Sequence, residues 1–104
     1  EQLIGTWTAV RGEAQGEPTL LEGFSFTFDG TRFKAGSPHR TTEGEYKIDT
    51  TKTPMQIIFT GFGLGIFEFR SGQLFLCIDR DVRPTKFATS PSSYEILTVC
   101  ERNN

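Results

Sequence analysis

Few side chains in this sequence can act as nucleophile, base or metal ligand, and they do not converge. His39 is the only histidine. It follows Pro38 in a turn, reads as a surface residue, and leaves a three-histidine metal site out of reach. A Ser-His-Asp arrangement would have to use the same ring, and no nucleophile-elbow motif accompanies it. Cys77 and Cys100 with one distant histidine do not make a structural zinc set. Gly61-Phe62-Gly63-Leu64-Gly65 is as glycine-rich as a phosphate loop, but it lacks the Lys-Ser/Thr ending and a following helix. Glu43, Glu45 and Asp49 share one face with Lys47, as Glu68 does with Arg70. These pairs read as solvated outer faces with ion pairs of little energetic weight. A general acid needs a carboxyl group in an apolar pocket, and alternation turns none of these inward. Asp79-Arg80-Asp81-Val82-Arg83 reads as a polar rim where a strand leaves the fold. The expectation is a non-enzyme with no catalytic residues, no metal and no cofactor.

The bulk numbers narrow the partners. The chain has 104 residues, 11 basic and 13 acidic side chains, and a formal net charge of −2. That size is one domain, 1–104, with a modest core. The charge supplies no basic field for a phosphate backbone and no polybasic patch for an anionic membrane, so neither nucleic acid nor membrane insertion is expected. No apolar run approaches a membrane span, and no signal peptide is intact. The abrupt opening at Glu1-Gln2-Leu3-Ile4-Gly5 suggests a mature or trimmed product; the expected location is periplasmic or extracellular, with the cytoplasm as the alternative. A monomer is expected.

The elements that must carry these residues are strands. Phe24-Ser25-Phe26-Thr27-Phe28 alternates apolar and small polar residues, as do Gly44–Asp49, Met55-Gln56-Ile57 and Phe67-Glu68-Phe69-Arg70. Period two with one apolar face marks half-buried antiparallel strands. Turn signals recur at Gly16-Glu17-Pro18, Asp29-Gly30-Thr31, Gly36-Ser37-Pro38, Thr51–Pro54, Gly61-Phe62-Gly63 and Ser71-Gly72. Between them the spacing predicts eight strands near 6–14, 22–29, 31–36, 41–49, 55–60, 64–70, 73–80 and 94–101. Only the connection Asp81–Ser93 is long. Short connections favour an all-β, up-and-down antiparallel barrel that closes on itself and so has no edges.

Alternation places Trp7, Phe24, Phe26, Phe28, Phe33, Tyr46, Ile48, Ile57, Phe59, Phe67, Phe69, Leu74, Leu76, Ile78, Leu97 and Val99 inside. Eight strands enclose room for packed side chains or one small ligand. With ten Phe, the lumen is expected to be largely filled. If the last two strands pair with Cys77 opposite Cys100, the hairpin centres near Ala88 and Thr89, and a disulfide on the outer face is expected, fitting an exported domain; the alternative is two buried thiols in a cytosolic protein. In Arg83-Pro84-Thr85-Lys86-Phe87, Pro84 stiffens the loop. Phe87 is expected to fold over the barrel end while Arg83 caps strand carbonyls or stacks on Trp7.

Gly5-Thr6-Trp7 at the start of the first strand resembles the Gly-x-Trp signature of lipocalins. The ordered set Leu3–Trp7, Phe26–Phe33, Glu43–Asp49, Leu64–Phe69, Gln73–Cys77 and Arg83–Ala88 is similar to a family of small lipocalin-like domains abundant in planctomycete bacteria. The resemblance spans nearly the full length. It implies a lipocalin-like barrel, frequent export and no established biochemical activity. It also implies that Trp7 plugs the closed end against a basic side chain, with Arg102 and Arg83 as candidates. One departure is the tight link Phe59–Leu64, where the family often has a longer loop. Together with the short chain it points to a shallow barrel.

The function expected is a lipocalin-like binding module for a small hydrophobic ligand. Trp7, Phe26, Phe28, Tyr46, Phe59, Phe67, Phe69 and Leu76 would line the interior, with loop contacts from Phe62, Arg83, Lys86 and Phe87. The alternative is an exported protein-interaction or enzyme-inhibitor domain acting through the Gly61–Leu64 and Arg83–Phe87 loops.

Overall fold

Strand-forming alternation and glycine-containing turns produce nine β-segments and, among the described residues, no helix. The computed structural model describes residues 3–19, 23–92 and 94–103. The segments are β1 Gly5–Ala14, β2 Glu17–Thr19, β3 Ser25–Phe28, β4 Arg32–Ser37, β5 Arg40–Asp49, β6 Met55–Phe59, β7 Gly63–Arg70, β8 Gln73–Asp79 and β9 Ile96–Arg102. Every neighbouring pair is antiparallel, and β9 returns to pair with β1. The result is a closed eight-stranded barrel with one additional short strand. That extra strand, β2, pairs with the second half of β1, and β3 pairs with the first half. The two therefore lie in succession along one side of β1. The start expected for this strand, Glu22, lies outside the described residues, as does Ser93.

The turns follow their chemistry. Asp29 Oδ1 accepts from the amides of Thr31 (2.9 Å) and Arg32 (2.7 Å), closing the β3–β4 hairpin. Ser71 and Gly72 both take positive φ, 51° and 81°, the combination whose twist suits a two-residue hairpin.

The register corrects the expected interior on β9. Leu74, Leu76 and Ile78 face the lumen, and their partners are Cys100, Thr98 and Ile96. Those three residues therefore point inward. Leu97 and Val99 belong to the outer row, opposite Cys77 and Phe75. They are buried all the same, because the long connection after β8 is draped over the outside of the barrel. Phe87 packs there on a cluster of Ile66, Cys77 and Leu97. Its ring meets Phe75 edge-on at 6.5 Å, with Arg70 stacked 5.2 Å from its centre. Thr89 then ties the strap to β1, donating from its amide (3.1 Å) and its hydroxyl (2.6 Å) to Glu13. Phe87 thus covers the wall and not the barrel end. Alternation alone cannot reveal this, since it assumes one wet face per strand.

The expected disulfide is corrected by the same register. Cys77 and Cys100 are free and buried. Cys77 lies in the outer cluster under the strap, whereas Cys100 lies in the barrel core. Neighbouring strands cannot bridge sulfurs on opposite faces of a sheet. Burial pushes the Cys77 thiol up to about 11 and the Cys100 thiol up to about 12, so both are protonated and unreactive at neutral pH.

Two outcomes follow. Unreduced protein should titrate two thiols when unfolded and none when native. Phe87→Ala should speed alkylation of Cys77 several-fold, read by mass spectrometry, with Cys100 still protected. Equal protection of Cys77 in that variant would show that the strap does not shield it. The second outcome concerns acid. Hydrogen bonds from the Thr89 side chain and amide hold the Glu13 carboxyl below its ordinary value of 4.5. A lowered folded-state value stabilises the fold above 4.5, and that stabilisation is lost as the pH falls through the folded value. The urea midpoint should therefore drop on acidification below about pH 4.5, less steeply in Glu13→Gln.

Candidate functional site

The lumen divides into a sealed base and an open cup because inward side chains change size along the barrel. At the base the inward positions carry Trp7, Phe28, Tyr46, Phe67, Leu74 and Leu76, all buried. Toward the other end they carry Ala9 and Gly12 on β1, Ala35 on β4, Thr42 and Gly44 on β5, and Thr98 on β9. Large side chains close-pack and exclude ligand, while small ones leave the space between the walls empty.

Trp7 seals the base. Its indole Nε1 donates to the Leu3 carbonyl at 2.9 Å. The Arg102 guanidinium lies 4.2 Å from the ring centre and donates from Nη1 to the Ile4 carbonyl at 2.7 Å. Cross-strand pairing of Trp7 with Arg102 sets the stack. Gly5 sits beside it at φ 130°, a conformation that L side chains rarely adopt, and a Cβ there would push the Arg102 guanidinium, 2.7 Å away, from its place. Of the two candidate basic partners of Trp7, Arg102 is the one that stacks. Arg83 instead caps strand carbonyls, donating to those of Ile57 (3.1 Å) and Gly65 (2.7 Å).

The cup at the opposite end has a volume of about 870 Å³. Phe24, Phe26, Phe33 and Phe59 form its aromatic wall, with Ala35, Ile78, Ile96 and Thr98 completing it. The rings interlock: Phe24 meets Phe26 at 5.2 Å, Phe33 meets Phe59 at 4.8 Å, and Phe26 lies 6.4 Å from Phe59. Phe62, at the β6–β7 turn, is half exposed and leans across the mouth onto Phe33 at 5.7 Å. Gly44 makes that approach possible, because a Cβ there would stand 2.9 Å from the Phe62 ring. Arg40, Arg80, Asp81 and the exposed Tyr94 ring the lip.

Set against the expected interior, the open cup is a departure from a largely filled lumen. Phe26, Phe59 and Phe62 line it. Trp7, Phe28, Tyr46, Phe67 and Leu76 lie in the sealed base, where Phe69 also packs, 5.8 Å from Trp7. Arg83 and Phe87 lie on the outer wall, and Lys86 is exposed. The structure therefore does not gather the four loop residues into one surface. Sequence reading missed Ala35, Thr42, Ile96 and Thr98 as lining. The small size of Ala35, Thr42 and Thr98 at inward positions of one end was the available signal, and it needed the register to be seen; Ile96 carried no such signal. His39 is exposed. Among the described residues no group of three His, Cys, Asp or Glu comes together.

Because the only tryptophan sits in the base, its emission should be blue-shifted and hardly quenched by acrylamide. Arg102→Ala should shift it to the red and cost about 1–2 kcal/mol in urea unfolding, from the lost stack and hydrogen bond. An unchanged spectrum and midpoint would show that Arg102 does not seal the base. Compared with known family models, curated proteins and solved structures, the chain finds no match.

Proposed function

We propose that the domain is a non-enzymatic, lipocalin-like binding module whose open cup takes up a small apolar molecule. The observation that carries this reading is the open space of about 870 Å³ above a closed, fully packed base. Sites for small molecules are concave, largely apolar and roughly 300–1,000 Å³ in size. Interlocked rings give a wall that needs little ordering on binding, which keeps the entropic cost of association down. A ligand of about 20 heavy atoms at roughly 0.3 kcal/mol per atom would bind with about 6 kcal/mol, a Kd of tens of micromolar. The base built from Gly5, Trp7 and Arg102 supports placing the chain beside the small lipocalin-like domains its motifs resemble.

The test is a fluorescence titration with N-phenylnaphthylamine, a neutral dye of suitable size. The protein should bind it in the tens-of-micromolar range. Thr42→Trp fills the mouth from an exposed position and should weaken binding at least about tenfold, since a steric block removes most of the contact area. Ile58→Trp, on the outer row opposite Lys47, should leave binding unchanged. Equal titrations in all three proteins would sink the reading.

A further inference from the structure

The lip of the proposed cup carries both signs of charge, and they differ in how their side chains are engaged. On β5 the inward row is Arg40, Thr42, Gly44 and Tyr46, because Tyr46 lies in the core and Thr42 opposes Ala35. Arg40 tops that row, opposite Ser37. On the facing wall Leu74, Leu76 and Ile78 point inward, and Arg80 follows just past the end of β8, where the chain bends. Both arginines line the mouth. The neighbouring acids Asp79 and Asp81 line the mouth as well. Asp79 turns its Oδ1 onto the amides of Asp81 (2.8 Å) and Val82 (3.1 Å), which occupies that carboxylate oxygen in a turn. Asp81 is the other charged group on this stretch of lip. Among the described residues, neither the Arg40 nor the Arg80 side chain has an ion pair or hydrogen bond.

An aromatic cup below two unengaged guanidinium groups at its lip suits one kind of molecule. We infer that the ligand is an amphiphile, with an apolar body against Phe26, Phe33 and Phe59 and one anionic group (carboxylate, sulfonate or phosphate) at the lip beside Arg40 and Arg80. This inference rests on the cup being the binding site. Guanidinium forks pair with such oxyanions in a planar, bidentate geometry. A bound apolar body also displaces water from the mouth, which strengthens the attraction there over its value in bulk solvent.

Two dyes that differ only by a charged group separate the two ideas. N-Phenylnaphthylamine is neutral, and anilinonaphthalene sulfonate adds one sulfonate to the same body. The protein should bind the sulfonate about tenfold more tightly, as expected for charge-assisted hydrogen bonds at a partly exposed site. Arg40→Gln and Arg80→Gln should each weaken the sulfonate roughly three- to tenfold and leave the neutral dye unchanged. Added salt should weaken only the sulfonate. Equal affinities for both dyes, with both lost in Thr42→Trp, would overturn the anionic preference and leave the cup standing. Sulfonate binding that survives Thr42→Trp would overturn the inference by placing the anion elsewhere, and failure of the protein to bind either dye would overturn the cup as well.

Discussion

The pairing of β9 with β1 is the constraint on which the rest of the molecule depends. It closes the eight staves on one another, so among the described residues only the short β2 keeps an unpaired edge. It places Arg102 across from Trp7, and that one cross-strand pair converts an amphipathic indole into a stopper. The ring is covered by a guanidinium on one side and tied by its Nε1 to the chain entering the barrel. A shift of one residue in this register would turn Trp7 and its whole row to the outside. The irregularity at Val10, between Ala9 and Arg11, absorbs the extra residue that lets β1 keep both its base and its mouth in contact with β9.

Closure also explains why the wall is apolar on both faces over part of its circumference. Residues Leu97–Cys100 of β9 are buried in succession, two against the lumen and two outward. The outward-facing side chains are protected by the strap that joins β8 to β9. The strap is held by different interactions along its length: Arg83 on two strand carbonyls, Phe87 in an aromatic slot, and Thr89 on Glu13. Such a segment adds a second, smaller core outside the barrel. For a chain of about 100 residues, whose single core is only modest, this raises the share of apolar surface taken out of water.

The cup owes its existence to side-chain volume. Eight strands set a diameter that large rings fill and small residues do not. Rings dominate the base, and alanine, glycine and threonine dominate β1, β4, β5 and β9 near the mouth. One architecture thus yields a packed end and an open end. Arg40 and Arg80 stand at the mouth with Asp79 and Asp81, and backbone amides engage the Asp79 carboxylate.

The strand class, the number of staves, the turn positions and most of the core were legible in the sequence, because period-two alternation and glycine-bearing turns are local properties of the chain. Gly5 and Trp7 were legible as a motif, whereas the basic partner of the indole stood between Arg102 and Arg83 until the β1–β9 register chose Arg102. The register of β9, the placement of Cys77 and Cys100 on opposite faces, and the strap over the outer wall were not. Each depends on contacts between residues far apart in the chain, and a residue's parity within its own strand does not say which row its partner strand offers. The eleven glycines and ten phenylalanines of the sequence determine how much volume there is to pack. Only the closed tertiary structure decides where that volume runs out, because a cavity belongs to the facing of several strands at one height and to no segment alone.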